Sequence, residues 1–259
     1  MSDSISFDRA AEFYDETRSY DPDLARATTE LLTAELRGRR TVLEVGVGTG
    51  LIALPLHEAG VPMLGLDISG PMLHKLIEKA GGRPPFPLVL GDATALPFAD
   101  DSVHAGLVRW VLHLIPDWRR VVAELVRVVR PGGALVIHLG AYGGPWEETR
   151  RRFEQIVGIA LDPVGIGWHG EEQLDEEMAR HGGRLRLLPP LARRSQESPA
   201  ELLDGIERNV YSWTWPIPED ARRAALAELR PWAEGRFGPL DRPQVHETTV
   251  VWRAYDLPG

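Results

Sequence analysis

Three glycines, at positions 46, 48 and 50, stand where one apolar run ends and another begins. Residues 41–45 are typical of a buried strand, and residues 51–54 begin an apolar helix. Glycine allows a sharp strand-to-helix turn and a close approach of a ligand to the backbone, and free amides at the start of a helix favour a carboxylate or phosphate. The spacing therefore predicts a loop that holds a nucleotide-containing cofactor.

Two acids follow this loop at positions where strands are expected to end. Asp67 lies 21 positions after Gly46, and an acid about 20 residues beyond such a loop accepts hydrogen bonds from both ribose hydroxyls. Asp92 closes the third strand, where its carboxylate can accept from an adenine amino group while a neighbouring amide meets a ring nitrogen. The loop and Asp67 fit NAD as well as S-adenosylmethionine, but the third glycine of the dinucleotide pattern Gly-x-Gly-x-x-Gly is absent.

The elements that must position these residues alternate between strand and helix through roughly residues 20–140. Such alternation predicts parallel strands with right-handed crossovers. Five strands are expected before residue 140, and two more at 184–188 and 245–252, the second as a hairpin partner. Ser69 is expected to cap the helix after the second strand. The predicted fold is α/β: a doubly wound, mostly parallel, seven-stranded Rossmann-like sheet.

The domain organisation is predicted to be a single domain over all 259 residues. Residues 1–36 are expected to form an N-terminal helical lid, and residues 41–139 the cofactor-binding core. Residues 141–182 and 195–240 are expected to form helical insertions that make a substrate cap.

These motifs resemble those of class I S-adenosylmethionine-dependent methyltransferases, in particular the small-molecule branch that includes the ubiquinone/menaquinone-biosynthesis type. The resemblance covers residues 13–139, and beyond about residue 140 it concerns the general layout only. The fourth strand departs from the family pattern, because Val103-His104 stands where members usually have Asp before the strand's valines. The matching stretches are Phe13-Tyr14-Asp15-x-x-Arg18, Val42–Gly50, Gly65–Ser69, Gly91-Asp92-Ala93 with Leu96-Pro97-Phe98, Leu112-His113 and Arg130-Pro131-Gly132-Gly133.

For the adenosine end of the cofactor, the resemblance implies that Asp67 holds the ribose and that Ile68 packs on the adenine. Met72 would add an apolar contact near the adenine, and Asp92 with Ala93 would read the adenine edge. Other interpretations stay open: a strand-end Asp is often a helix cap or a turn residue, and Met72 equally suits core packing.

For the methionine end, the resemblance implies that Glu44 orients the amino group through water. Tyr14 and Arg18 are expected to close over this end as part of the N-terminal lid. A buried acid such as Glu44 can instead satisfy loop amides. The predicted S-adenosylmethionine-binding residues are therefore Tyr14, Glu44, Gly46, Gly48, Gly50, Asp67, Ile68, Met72, Asp92 and Ala93.

Methyl transfer from a sulfonium has a neutral leaving group, so the enzyme mainly has to align the acceptor with the methyl group. An oxygen, nitrogen or carbon acceptor can also need a base, and His113, just after the fourth strand, is the candidate. A helix-packing role suits His113 as well. His138 is expected in the core, and His169 is a candidate for a pocket wall. The product cofactor would be S-adenosylhomocysteine, and no metal site is predicted.

Composition limits the partners. The net charge of −9 argues against a nucleic-acid substrate, and the absence of cysteine excludes thiolate sites. No apolar run reaches the roughly 20 residues of a membrane helix, and the first eight residues have no signal-peptide core, so a cytoplasmic protein is expected.

The acceptor is expected to be a small molecule, apolar or planar, because tryptophans gather in the C-terminal half, although these rings equally suit packing of the cap. The sequence predicts neither the acceptor atom nor the oligomeric state. Three alternatives stay open: an RNA or protein methyltransferase, a nicotinamide-dependent oxidoreductase, and a binding module without turnover. The tryptophans are Trp146, Trp168, Trp213, Trp215 and Trp232.

Overall fold

The structure, a computed structural model, describes residues 4–140 and 143–259. The first three residues of the predicted lid and the first two of the predicted 141–182 insertion lie outside the described residues. The chain forms two compact units, and the second comprises residues 141–163 and 192–250. Val164–Leu191 belongs to the first unit, although residues 164–182 were predicted to lie in an insertion.

The first unit contains a seven-stranded sheet. Its strands are β1 (Val42–Val45), β2 (Met63–Asp67), β3 (Leu88–Leu90), β4 (Val103–Arg109), β5 (Val129–His138), β6 (Arg184–Leu187) and β9 (Arg253–Asp256). Two further strands, β7 (Leu191–Glu197) and β8 (Gln244–Val250), are not part of this sheet. The strand order is β3-β2-β1-β4-β5-β9-β6. Strands β1 to β5 pair in parallel, and β9 runs antiparallel to β5 and β6. The predicted doubly wound, mostly parallel, seven-stranded sheet is confirmed.

The strand order reverses between β1 and β4, because the chain moves outward from β1 to β3 and then returns to the other side of β1. At such a reversal the loops that follow the two strands diverge and leave a crevice beyond the carboxyl ends. Every residue of β1 is buried, so the glycine loop that follows it is held by a rigid strand.

The predicted last strand of the sheet is wrong. The alternating run near residues 245–252 forms β8, which pairs with β7 in a separate two-stranded sheet. The last strand of the main sheet is the four-residue β9, whose Ala254 and Tyr255 are fully buried. Alternation of apolar and polar residues indicates a half-buried strand but does not identify the strand with which it pairs. The partner, β7, contains Arg, Ser and Gln and has no apolar pattern that would predict a strand.

The helices of the first unit cover the sheet. They are α1 (Tyr14–Arg18), α2 (Pro22–Glu35), α3 (Ala53–Glu58), α4 (Gly70–Lys79), α5 (Trp118–Val128) and α7 (Glu171–Arg180), with short 3-10 turns at Asp8–Ala10 and Leu112–Leu114. Helix α6 (Gly144–Val157) belongs to the second unit. Ser69 caps α4, since its hydroxyl accepts from the Met72 amide at 3.2 Å, which confirms that prediction.

The second unit contains α6, α8 (Pro199–Glu207), α9 (Glu219–Phe237), a 3-10 turn at Ser212–Thr214 and the β7–β8 pair. Helix α6 packs against both α8 and α9. Trp213 stacks on Tyr211 with ring centroids 5.4 Å apart, and it meets Trp146 and Phe153 edge-on. These aromatic rings form part of the core of this unit.

None of the helices in the described residues is long and apolar enough to cross a membrane.

Candidate cofactor site

A cavity lies where the sheet order reverses, and the space between its walls, including the part open to solvent, is about 620 Å³. Its walls come from residues that follow β1, β2, β3 and β4, together with the N-terminal segment. Eight of the ten predicted cofactor residues line it: Tyr14, Gly46, Gly48, Asp67, Ile68, Met72, Asp92 and Ala93.

The glycine loop bends as the sequence predicted. Gly46, Gly48 and Gly50 all have positive φ, at 71°, 54° and 81°. A Cβ on Gly46 would lie 2.2 Å from Val111 Cγ2, whereas a Cβ on Gly48 would meet nothing closer than 4.0 Å, so Gly48 leaves the backbone open to the cavity. Gly50 does not line the cavity; its missing side chain makes room for Leu54.

Asp67 joins the loop to the next helix. Its Oδ2 accepts from the Gly48 amide and its Oδ1 from the Ser69 amide, both at 2.8 Å. Burial raises the pKa of Asp67, and the two amide hydrogen bonds oppose that rise. Because each carboxylate oxygen has two lone pairs, Asp67 can hold the loop and accept from a ligand hydroxyl in the cavity at the same time.

The wall after β2 and β3 combines apolar side chains with one acid. Ile68 is 39% exposed although it is a large apolar residue, and Met72 is buried beside it. The Asp92 carboxylate accepts from the Thr94 amide at 2.9 Å and from the Thr94 hydroxyl at 2.8 Å, which fixes its orientation at the end of β3. This wall can receive a flat apolar ring with polar edges.

Glu44 lies one layer below the cavity wall, on β1, and is 3% exposed. Its Oε2 has no hydrogen-bond partner among the described residues. Burial raises the pKa of Glu44 to about 8, while Arg109 lowers it and Asp67 adds to the rise. A buried acceptor without a partner is costly, so this site favours a ligand that supplies a cationic donor.

Arg109 and Trp110, which end β4 and follow it, line the cavity and were not predicted as site residues. The Arg109 side chain is buried, and its guanidinium lies 3.7 Å from the centroid of the Trp110 ring and 4.4 Å from that of Tyr20. Trp110 has a φ of 58°, a conformation that costs a bulky residue roughly 1–2 kcal/mol. Ligands bind at the carboxyl ends of the strands where the strand order reverses. Because β4 borders that point, its last residue and the one after it could have been identified as site residues from the predicted fold.

The N-terminal segment closes one side of the cavity. The Ile5 amide donates to the Leu114 carbonyl at 2.9 Å, and Phe7 meets Tyr14 edge-on at 5.7 Å. Asp15 accepts from the Thr49 hydroxyl of the glycine loop and pairs with Lys79 of α4 at 2.6 Å. Phe7 and Tyr14 both line the cavity. Burial raises the pKa of the Tyr14 phenol.

The histidine candidates lie elsewhere. His113 is not among the cavity-lining residues; its ring packs against Trp168 at 6.3 Å, and burial lowers its pKa to about 4. His138 is buried, with Nδ1 3.0 Å from the Val251 carbonyl, and His169 is exposed away from the cavity. Within residues 4–140 and 143–259, no three His, Cys, Asp or Glu side chains are placed to hold a metal ion.

Known proteins match this chain across both sequence and fold. Residues 43–137 match the family described as methyltransferase domain. A phosphatidylethanolamine N-methyltransferase of Cereibacter sphaeroides is 36% identical over 151 residues, which cover 55% of this chain and 69% of the relative. A demethylmenaquinone methyltransferase of Beutenbergia cavernae is 30% identical over 231 residues, which cover 87% of this chain and 80% of the relative.

Among solved structures, the YcgJ protein of Bacillus subtilis superimposes with a TM-score of 0.60 at 19% identity, covering 90% of this chain and all of that one. A likeness at this identity concerns the fold alone. The two relatives match this chain over 69% and 80% of their own length, so the sequence resemblance is confirmed. The chain belongs to the class I S-adenosylmethionine-dependent methyltransferases, on their small-molecule branch, and is an S-adenosylmethionine-dependent methyltransferase.

Proposed function

We propose that the cavity binds S-adenosylmethionine with its adenosine against the wall after β2 and β3, and that the methyl acceptor is a small molecule. The observation that carries this proposal is the convergence of eight predicted cofactor residues on one cavity beside the reversal of strand order. In this arrangement Asp67 accepts from the ribose hydroxyls, Ile68 and Met72 contact the adenine, and Asp92 with Ala93 reads its edge.

The methionine end then lies over the glycine loop, near Glu44. Through a bridging water, an ammonium group supplies the donor that Glu44 Oε2 lacks. Gly48 gives the methionine backbone room because no side chain fills the space in front of Tyr14. Tyr14, Phe7 and Ile5 exclude water from this end through the contacts of the N-terminal segment.

The reaction transfers a methyl group from a sulfonium to the acceptor, and the sulfur leaves as a neutral thioether. The protein's contribution is alignment: two reactants held in line in a dry cavity lose most of the entropic barrier of a bimolecular reaction. His113 as a base, the absence of a metal, a cytoplasmic location, and a lid and cap role for residues 1–36, 141–182 and 195–240 remain predictions from the sequence.

The acceptor class is proposed from the cavity itself. Val111, Leu114 and Ile115 make the wall after β4 largely apolar, which suits an apolar or planar molecule. The net charge of −9 disfavours an RNA acceptor. The two relatives are named for a quinone and for a phospholipid amine, so both a hydroquinone and an aminolipid belong in an acceptor panel.

A ligand panel tests the cofactor proposal. S-adenosylhomocysteine at 100 times its dissociation constant should stabilise the protein by about 2.7 kcal/mol, because only the folded state binds it. The measurement is the melting temperature with S-adenosylhomocysteine, S-adenosylmethionine, NAD or NADP. Stabilisation by NAD alone would contradict the proposal, and cofactor binding without turnover of any acceptor would favour a binding module.

Glu44 gives a second, pH-dependent expectation. With a pKa of about 8, Glu44 is mostly protonated at pH 6.5 in the free protein, and a bound ammonium would favour its ionised form. Binding of S-adenosylhomocysteine at pH 6.5 should therefore release a proton, and the affinity should rise as the pH approaches 8.

Calorimetry in buffers of different ionisation enthalpy measures this proton release. The Glu44→Gln variant should bind more weakly and release no proton at this site. Equal release by the variant and the wild type would remove Glu44 from the methionine end.

A further inference from the structure

Arg109, which was not predicted as a site residue, is a buried cation without an anionic partner among residues 4–140 and 143–259. Its Nη2 donates to the Arg18 carbonyl at 3.0 Å, and its Nε donates to the Tyr20 hydroxyl at 3.4 Å. It forms no ion pair with any carboxylate of the described residues. Nη1 makes no hydrogen bond to these residues either, so part of the guanidinium remains available to a ligand.

Two aromatic rings hold this cation in place. The centroids of the Trp110 and Tyr20 rings lie 3.7 Å and 4.4 Å from the guanidinium, and the two rings meet edge to face with centroids 6.0 Å apart. Trp110 keeps its unfavourable positive φ while it does so, and strain of this kind concentrates at functional sites. A buried positive charge without an opposite charge is costly.

The nearby acids do not supply that opposite charge in the free protein. Arg109 is close enough to lower the pKa of Glu44 and of Tyr14, but burial keeps both mainly protonated at neutral pH. Asp67 accepts from the Gly48 and Ser69 amides, and it makes neither a hydrogen bond nor an ion pair with Arg109. In the proposed orientation the sulfonium of the cofactor adds a second positive charge to this end of the cavity.

We infer that Arg109 binds an oxyanion of the methyl acceptor, the deprotonated hydroxyl of a phenol or enol, and holds it beside the transferred methyl group. The inference rests on the proposed function, because it assumes that the cofactor lies in this cavity. The apolar wall of Val111, Leu114 and Ile115 fits the rest of such a molecule, and a dry site strengthens its attraction to a cation.

This arrangement replaces a general base with a fixed charge. The acceptor hydroxyl loses its proton to water, and the guanidinium stabilises the resulting anion. An electron pair on the oxygen, or on a ring carbon conjugated with it, forms the new bond to the methyl carbon. The bond between sulfur and methyl breaks with its electrons on sulfur, which becomes neutral; after attack by carbon, the ring proton leaves to water.

The probe for this site is 4-nitrophenol, whose phenolate form is yellow, added to the protein saturated with S-adenosylhomocysteine at pH 6. The wild type should bind the probe as phenolate, visible as an absorbance shift. Arg109→Gln should weaken probe binding about 10- to 100-fold, as expected for loss of a charged hydrogen bond, while Arg109→Lys should restore part of it. Calorimetry of S-adenosylhomocysteine alone measures the separate effect of the substitutions through Glu44, and its affinity should change by much less than that of the probe.

Arg119→Gln is the matched control, because Arg119 stacks on Trp118 at 4.3 Å but lies outside the cavity. Its probe binding should equal that of the wild type. The inference is overturned if the wild type binds no phenolate or if Arg109→Gln and Arg119→Gln behave alike. It is also overturned if Arg109→Gln weakens S-adenosylhomocysteine as much as the probe, which would assign Arg109 to the cofactor carboxylate. Failure of the wild type to bind S-adenosylhomocysteine would instead contradict the proposed function.

Discussion

Replacement of Gly46 by alanine is expected to destabilise the protein by about 2–5 kcal/mol. The new Cβ would lie 2.2 Å from Val111 Cγ2, and overpacking of this kind costs roughly 1–3 kcal/mol. The positive φ of 71° adds roughly 1–2 kcal/mol for a residue with a Cβ. Urea denaturation of the variant and the wild type measures the difference.

Two further variants separate the two causes. Gly48→Ala carries a similar backbone cost without the clash, so it should lose only about 1–2 kcal/mol, yet weaken S-adenosylhomocysteine because its methyl group enters the cavity. Gly46→Ala combined with Val111→Ala should recover the steric part of the loss. Equal stability of the Gly46 and Gly48 single variants would show that contact with Val111 is not what requires glycine at 46.

The loop was predictable from sequence because its requirements are local. A buried strand, three alternating glycines and a following helix are read from adjacent residues, and the ends of neighbouring parallel strands bring Asp67 and Asp92 to the same edge. The same reasoning identified Ser69 as a cap. Eight predicted residues therefore line one cavity.

Arg109 and Trp110 were not predictable in this way because their roles depend on distant neighbours. The guanidinium is positioned by Tyr20 and the Arg18 carbonyl, about 90 residues away along the chain. Nothing in the local pattern distinguishes an arginine that ends a strand from one that faces solvent. For the same reason, the alternation of β8 identified a strand but not its pairing with β7.

Replacement of Asp67 by alanine is expected to weaken binding of S-adenosylhomocysteine about 10- to 100-fold, since two ribose hydroxyls would lose a charged acceptor worth roughly 1.5–3 kcal/mol. Stability should fall as well, because the Gly48 and Ser69 amides lose their acceptor. Calorimetry measures the affinity, and urea denaturation measures the stability. Asp21→Ala is the matched control: Asp21 also accepts a backbone amide, that of Leu24 at 3.0 Å, but outside the cavity.

A change in affinity alone does not separate a ribose contact from support of the loop, so the ligand must be varied together with the protein. The wild type should bind 3′-deoxy-S-adenosylhomocysteine more weakly than the parent compound. If Asp67 accepts from the 3′-hydroxyl, removal of that hydroxyl should cost Asp67→Ala almost no affinity, because the effects of two groups in contact are not additive. If Asp67 only holds Gly48 in place, the variant should lose as much affinity as the wild type does when the 3′-hydroxyl is removed. The proposed ribose contact would then be wrong, but the role of Asp67 in holding the loop would not.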